Sequence, residues 1–329
     1  MHRRFDFADA FGQFNKHGAV KRERVCNNLK MYKDVPSQFD AWDIDSTYET
    51  TPVELPEDAA MTVIAQGPLV AVVKVTRKIN DSTIVQEISL RHHSRRIDFA
   101  TKVDWKERHK LLKACFPVDI HANCAVHEIQ MGHVRRPNHR SRQFDADRFE
   151  VCNQKWTALC EENRGCAVLN DCKYGVNVLG NSINLTLLKS ALSPDMTADR
   201  GLNEFTYAFH AWNGSFADCD LVRQGYDLNI PAVVAPGNGG SASLFDLDAP
   251  NVIIETVKPA EDRSSDIVVR LYESKRMATK CALITTLPAI KAALTDMLEN
   301  KLSDLPLKNG KINLSFKPFE IKTIRLKMK

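Results

Sequence analysis

The sequence predicts an all-β protein in which a large β-sandwich, residues 1–245, is followed by a small C-terminal β-sandwich, residues 246–329. Short apolar runs, many of them alternating, recur along the chain and are separated by turn residues. Helical periodicity is sparse by comparison. The stretch Pro236–Ser243 (PGNGGSAS) has the composition of a linker, and a second set of strand-like runs follows it.

The predicted strands of the large sandwich are joined by short turns. Asn80-Asp81 separates two of them, and Tyr174-Gly175 and Gly180-Asn181 join three others as hairpins. In chain order the runs are Leu69–Arg77, Ser82–Leu90, Arg96–Asp104, Ala114–His121, Cys166–Asp171, Val176–Leu179, Ser182–Leu188 and Phe205–His210.

The small sandwich is predicted from the runs that follow the linker, with a hairpin turn at Asn309-Gly310. Two segments carry weak helical signals: Thr285–Asn300 has some helical period, and Arg4–Asn15 has the pattern of a short helix. The strand runs are Val252–Lys258, Ile267–Tyr272, Lys280–Thr286, Lys311–Phe316 and Ile321–Lys327.

The bulk composition is that of a globular protein and argues against two classes of partner. A net charge of +4 over 329 residues is nearly balanced, and the basic stretches Arg91–Arg96 and Arg135–Arg142 lack interleaved aromatic residues. We therefore predict no nucleic-acid partner. No stretch approaches transmembrane length, which predicts no membrane partner, and no signal peptide is recognisable. The nine cysteines lie mostly in strand-like runs, as reduced thiols of a cytoplasmic protein do.

The most informative local feature is the run KDVPSQFDAWDID, from Lys33 to Asp45. Acidic residues surround Trp42, and this combination suits a sugar. Carboxylates accept hydrogen bonds from hydroxyl groups, while an indole face covers the C–H side of a pyranose. The alternative is that Trp42 packs in a core at the base of an acidic loop. The acids of the run are Asp34, Asp40, Asp43 and Asp45.

The sequence shows no motif for a metal or a nucleophile. Histidines recur every six residues from 121 to 139, but Gly132 and Pro137 interrupt that segment, so one strand cannot present them all on one face. No zinc-protease, serine-hydrolase, P-loop or dinucleotide-binding motif occurs. The four acids near Trp42 remain candidates for paired carboxylates, but their spacing does not define an acid and a nucleophile.

Several segments, taken in order, resemble glycoside hydrolase family 38, the α-mannosidases, and in particular the C-terminal β region of the cytosolic type. The resemblance begins at about residue 18 and runs to the C-terminus. It rests on Tyr32–Asp45, His109–Ile120, His127–His139, Asp145–Trp156, Gly165–Gly175, Ser193–Phe209, Asn251–Asp262, Ile267–Glu273 and Phe316–Leu326.

The resemblance implies a galactose-mutarotase-like supersandwich that lacks its first strands. In this family a catalytic barrel supplies the zinc ligands and the aspartate nucleophile, and a helical bundle follows the barrel. Neither is recognisable here, so the resemblance implies no catalytic residue, metal ligand or cofactor in this chain, which is expected to be inactive alone. The implied substrates are α-mannoside glycans, and the implied partners are the missing barrel and bundle.

The resemblance also suggests which loops face the catalytic domain. The loop from Asp40 to Asp45 is one, with Asp40, Trp42, Asp43 and Asp45 as substrate-binding candidates at the rim of the active site. The turn from Asn170 to Tyr174 is the other, and its rim candidates are Asp171, Lys173 and Tyr174. Weaker candidates are Lys189 and Arg200, and a contact with the bundle or another subunit of a homo-oligomer is assigned to Arg135, Arg136 and His139.

Three hypotheses remain open at this point. The first is the C-terminal region of an α-mannosidase, which contributes loops to the active-site rim. The second is a stand-alone carbohydrate-binding module, which the chemistry around Trp42 would suit. The third is a purely structural assembly domain, whose loops are buried against a partner.

Overall fold

The computed structural model describes residues 26–329, so the helix predicted at Arg4–Asn15 lies outside the described residues. The described chain divides into two compact units. The first consists of residues 26–128 and 134–232, and the second of residues 129–133 and 233–329. Residues 231–243, which include the predicted linker, carry no helix or strand and are exposed.

The first unit is a β-sandwich with little helix. A short 3-10 helix spans Ser46–Thr50, and the α-helices are α1 (Gln143–Ala146) and α2 (Leu221–Asn229). The strands are β1 (Asn28–Lys33), β2 (Pro52–Val53), β3 (Ala60–Gln66), β4 (Val70–Ile79), β5 (Ser82–Arg91), β6 (Arg96–Trp105), β7 (Lys110–Pro117), β8 (Cys124–Ile129), β9 (Gly132–Pro137), β10 (Val151–Cys152), β11 (Trp156–Cys160), β12 (Arg164–Asn170), β13 (Gly175–Leu179), β14 (Ser182–Lys189) and β15 (Gly201–Asn213).

These strands form a six-stranded sheet, in the order β10-β13-β14-β7-β1-β2, and a nine-stranded sheet, in the order β3-β4-β5-β6-β15-β12-β11-β8-β9. One hydrophobic core lies between them, and strands such as β6, β7 and β15 contribute alternate residues to it. Its centre is aromatic: Phe116 of the smaller sheet stacks on Phe209 of the larger with ring centroids 5.6 Å apart. Tyr207 stacks on Phe99 at 5.1 Å.

The second unit is a smaller sandwich with its own core. Its three-stranded sheet has the order β16-β19-β22 and its five-stranded sheet the order β17-β18-β23-β20-β21. Val269, Leu283, Ile312 and Ile324 are fully buried in the core. The strands are β16 (Phe245–Leu247), β17 (Val252–Pro259), β18 (Ile267–Glu273), β19 (Thr279–Thr285), β20 (Ala289–Thr295), β21 (Lys301–Leu305), β22 (Lys311–Phe316) and β23 (Ile321–Met328).

The prediction of an all-β fold built from β-sandwiches is confirmed, but two local predictions are wrong. Thr285–Asn300 is not helical, because Ala289–Thr295 pairs along β23 and buries Ala292 and Thr295. Pairing with a neighbouring strand decides this segment against its weak helical period. Tyr174-Gly175 does not form a hairpin either, because β12 and β13 belong to different sheets and the chain crosses from one to the other there.

The turn at Asn309-Gly310 has the expected backbone but an unexpected position. Both residues have positive φ, 50° and 74°, as a two-residue turn requires. However, β21 and β22, which flank the turn, lie in different sheets, and only a bridge between Lys308 and Lys311 closes it. A side chain at Gly310 would place its Cβ 2.4 Å from the Thr285 carbonyl oxygen, so glycine is required there.

The carboxylate of Glu273 is a buried acceptor that joins separate segments of the second unit. It accepts hydrogen bonds from the Asn251 amide at 2.9 Å and from the backbone amides of Lys275, Met277 and Phe319 at 2.7, 3.0 and 3.0 Å. Each oxygen accepts two of these hydrogen bonds, so two donors would lose their acceptor if one carboxylate oxygen became an amide nitrogen.

We expect Glu273→Gln to lower the free energy of unfolding by about 1–3 kcal/mol, because the new amide turns its hydrogens toward backbone N–H donors. Chemical denaturation of the purified chain measures the change. Glu162→Gln, at an exposed position, is the matched control and should leave stability within about 0.5 kcal/mol of the parent. Equal stability of the two variants would contradict this role for Glu273.

His127 should make the stability of the first unit depend on pH. Burial lowers the pKa of His127 from about 6.5 to about 3, and the nearby Arg136 charge acts in the same direction. Between about pH 6.5 and about pH 3, the unfolded chain therefore binds a proton at His127 that the folded chain does not bind. The free energy of unfolding should fall as pH drops through this window, by roughly 2 kcal/mol at about pH 5.

His127→Gln removes this proton uptake, so its free energy of unfolding should fall less than that of the parent between about pH 7 and pH 5. The comparison uses the slope with pH and not the absolute stability, which the substitution also changes. His93→Gln, at an exposed position, is the control and should retain the parental slope. A parental slope in His127→Gln would show that His127 binds protons equally in the folded and the unfolded chain over this range.

Candidate functional site

The strand register brings both predicted rim segments to one end of the six-stranded sheet. Lys33, the last residue of β1, pairs with Lys110, the first of β7, and Lys189, the last of β14, pairs with Leu111. β13 begins at the same end with Gly175. The loop Asp34–Asp45, here called the tryptophan loop, and the segment 171–174 therefore leave the same end of the sheet, with β7 and β14 between them. Three interstrand spacings put them about 14 Å apart.

A buried ion pair fixes the start of the tryptophan loop. The Lys189 ammonium lies 2.5 Å from a carboxylate oxygen of Asp34 and also donates to the Asp43 carbonyl at 2.7 Å. Asp34 is almost fully buried, and burial raises its pKa although the hydrogen bond from Lys189 opposes the shift. Lys189 thus ties both ends of the loop to β14.

Asp40 holds the middle of the loop against the segment after β14. One of its oxygens accepts hydrogen bonds from the backbone amides of Leu192 and Ser193, at 2.7 and 3.1 Å, and lies 2.9 Å from Nε2 of His109. Burial works to raise the pKa of Asp40, but the hydrogen bonds from Leu192 and His109 outweigh it and the pKa is lowered. Asp40 is therefore an ionised anchor.

The remaining residues of the loop present an aromatic surface to solvent. The backbone amides of Trp42 and Asp43 both donate to the Phe39 carbonyl, at 2.8 and 2.9 Å, and Asp45 accepts from the Ser37 amide at 2.9 Å. Trp42 is 76% exposed and Phe39 66% exposed. The structure excludes the alternative that Trp42 packs in a core. Of the four acids, only Asp43 is classed as exposed.

The second segment combines two anchored residues with one exposed ring. Asp171 accepts a hydrogen bond from the Thr206 amide at 2.8 Å. The Lys173 ammonium lies 4.3 Å from the ring centroid of Phe205. Tyr174 is 54% exposed. Asp171 and Lys173 thus set the path of the chain between the sheets, and Tyr174 is exposed at the same end of the sheet as the tryptophan loop.

The weaker candidates occupy other places. Lys189 is an anchor of the tryptophan loop, as described above. The Arg200 amide donates to the Thr197 carbonyl just before β15. Arg135 and Arg136 lie on β9, and His139 lies 3.8 Å from a carboxylate oxygen of Asp145.

Sequence analysis missed a buried charged cluster on the outer face of the six-stranded sheet. Lys113 of β7 is 1% exposed, and its ammonium lies 2.5 Å from Glu150 and 2.9 Å from the Thr186 hydroxyl. Tyr48 donates to the same Glu150 oxygen at 2.6 Å. Burial, with Glu150 beside it, raises the pKa of Tyr48. The signal was a lysine inside the run KLLKACFP, where alternation turns it away from the core.

The described residues offer no site for the zinc ion that the resemblance places in a catalytic domain. Within residues 26–329, no three His, Cys, Asp or Glu side chains are grouped to hold a metal ion. The helices in the same range are also too short or too polar to span a membrane.

Comparison with known proteins agrees with this architecture. Residues 11–197 match the C-terminal domain of the glycosyl hydrolases of family 38, and residues 251–324 match the C-terminal beta sandwich domain of the same family. An alpha-mannosidase from Enterococcus faecalis V583 shares the fold with a TM-score of 0.69 and 17% identity, over 90% of this chain and 38% of that one.

Curated relatives agree over nearly the whole sequence. Alpha-mannosidase 2C1 of Homo sapiens is 36% identical over 94% of this chain and 31% of its own length. Alpha-mannosidase G of Dictyostelium discoideum is 36% identical over 91% of this chain and 29% of its own length. The chain thus spans about a third of the length of these relatives. On the matches to its two domains, the chain belongs to glycosyl hydrolase family 38.

Proposed function

We propose that this chain acts as the C-terminal β region of an α-mannosidase, which hydrolyses α-linked mannosides in the cytoplasm. The observation that carries the proposal is the 36% identity to Alpha-mannosidase 2C1 along 94% of the chain. The nucleophile and the zinc ligands would then come from a catalytic barrel elsewhere in the whole enzyme. All nine cysteines are free thiols, which supports the cytoplasmic location.

In this proposal the tryptophan loop and the segment 171–174 form part of the rim of the active site. Trp42 is well suited, because its exposed indole offers a flat apolar face to a sugar ring. Asp43 beside it can accept hydrogen bonds from hydroxyl groups. Asp40, Asp45, Asp171 and Lys173 would act by holding the backbone, and Tyr174 would extend the aromatic surface. Functional side chains on loops anchored to a rigid scaffold are common.

The proposal that the catalytic groups lie outside this chain can be tested with two proteins. One is the purified chain, and the other is a chimera in which the chain replaces the matched C-terminal third of human Alpha-mannosidase 2C1. We expect the chain alone not to hydrolyse p-nitrophenyl α-mannoside, with or without Zn²⁺ or Co²⁺, whereas the chimera should do so. Turnover by the chain alone would refute the proposed absence of catalytic groups. A folded but inactive chimera would refute the proposed role in an α-mannosidase.

Within an active chimera, we expect Trp42→Ala to lower kcat/KM by roughly fivefold, since a lost aromatic contact is worth about 1 kcal/mol. Asp43→Asn should lower kcat/KM by about tenfold if a charge-assisted hydrogen bond to substrate is lost. Both variants should keep the parental melting temperature. Val35→Ala, at an exposed position of the same loop, is the control and should change neither quantity.

Asp40→Asn should have the opposite effect: it should lower the melting temperature and leave kcat/KM unchanged. The new amide can keep its oxygen on the amides of Leu192 and Ser193, but it loses the negative charge that these donors and His109 face, and its nitrogen takes the buried place of Oδ1, which has no partner. The melting temperature should therefore fall by the equivalent of about 1–3 kcal/mol. Unchanged kcat/KM in Trp42→Ala and Asp43→Asn, with stability lost instead, would mean that the loop packs against a partner and does not contact substrate.

A stand-alone carbohydrate-binding module is the second candidate, and the exposed Trp42 is the observation that favours it. Isothermal titration of the chain with mannose and α-mannobiose separates the two. Saturable heat that Trp42→Ala abolishes would support the binding module. No heat at millimolar sugar would leave the rim of a larger enzyme as the better account of the loop.

A further inference from the structure

A solvent-open pocket lies in the first unit, and none of its lining residues belongs to the tryptophan loop. It is bordered by β8, β9, α1 and β10 and by the end of β13. Its lining combines apolar with polar and charged side chains, among them His127, Arg136, Asp145, Arg148, Val151 and Val178.

The charged side chains that line this pocket carry an excess of positive charge. Within residues 26–329, neither Arg136 nor Arg148 has a carboxylate oxygen within 4.0 Å of its guanidinium. The carboxylate of Asp145, in contrast, accepts two hydrogen bonds from Arg142, at 2.9 and 3.1 Å. Its negative charge is compensated by that pair, which leaves two guanidinium groups without a counter-charge at one opening.

Contacts with the protein hold both guanidinium groups in place. Arg136 donates to the Cys152 carbonyl at 3.0 Å. Arg148 lies over the Phe144 ring, 4.2 Å from its centroid. Side chains that are already ordered lose little conformational freedom on binding a ligand, which favours a built site over a loose basic surface.

A chain of hydrogen bonds with a fixed direction ends at His127. The Lys173 amide donates to Oδ1 of Asn170, whose Nδ2 donates to Oδ1 of Asn153. Nδ2 of Asn153 in turn donates to the Thr157 hydroxyl at 2.8 Å. The hydroxyl keeps its own hydrogen, which it can donate to Nδ1 of His127, 3.1 Å away. With that donation, the proton of the neutral imidazole is on Nε2, where His127 can serve as a hydrogen-bond donor.

We propose that this pocket binds a phosphoryl group, either as inorganic phosphate or as a phosphate ester. Two guanidinium groups supply paired N–H donors and the positive charge that a dianion requires. The buried imidazole adds a neutral donor. A tetrahedral phosphoryl group presents its acceptor oxygens in three dimensions to side chains around it, whereas a carboxylate presents its acceptor sites in one plane. The inference is independent of the mannosidase proposal.

Isothermal titration of the full chain with inorganic phosphate at constant ionic strength tests the site. We expect saturable binding at one site, and an affinity about tenfold weaker in Arg148→Gln, which lacks one charge-assisted donor. Arg148 is exposed, so this variant should fold as the parent does. Arg223→Gln, at an exposed position on α2, is the matched control and should bind phosphate with parental affinity.

Further arms separate the sources of the ligand. Tighter binding of mannose 6-phosphate than of inorganic phosphate would identify an ester as the ligand, and the reverse order would identify the free anion. Either order of the two affinities supports the site, provided that Arg136→Gln also weakens binding. The proposal is overturned if phosphate gives no saturable heat, if acetate binds equally well, or if Arg148→Gln retains parental affinity.

Discussion

The Lys189 ammonium makes the contacts on which the geometry of the candidate rim depends. It pairs with the buried Asp34 carboxylate and also binds the Asp43 carbonyl, so one cation holds both ends of the tryptophan loop. A buried carboxylate without such a partner would be costly, because burial disfavours its charged form. The same pair leaves Trp42 and Phe39 facing solvent on a fixed backbone.

The sandwich beneath the loop supplies the rigidity. Antiparallel pairing from β1 through β7 and β14 to β13 brings residues from widely separated parts of the chain to one end of a sheet. Stacked rings of Phe116 and Phe209 hold that sheet on its neighbour. The loops can then differ in sequence and shape without changing the core, which is the usual relation between a β scaffold and its functional loops.

Polar side chains lie on the outer face of the six-stranded sheet, and polar contacts hold the segments that cover this face. The buried Lys113 ammonium donates a hydrogen bond to Glu150, and Glu49 accepts two hydrogen bonds from Arg140 at 2.8 Å each. These pairs join the 3-10 helix and the segment near α1 to the sheet. Buried polar groups tolerate few alternative arrangements, because each missing partner costs free energy. This constraint also orders the region beside the proposed phosphoryl pocket.

The sequence by itself determined the fold class, most strand positions and the family, because alternation along a strand and the ordered family segments are local properties of the chain. It could also indicate Asn309-Gly310 as a turn, since positive φ restricts the residues allowed there. Tertiary structure decided the role of each acid near Trp42. The partners of Asp34 and Asp40 lie roughly 150 residues further along the chain, at Lys189 and Leu192, and only sheet register brings them together. The cluster at Lys113 and the pocket at Arg148 could not be predicted from the sequence for the same reason: their members belong to different strands and loops, which only the tertiary structure brings together.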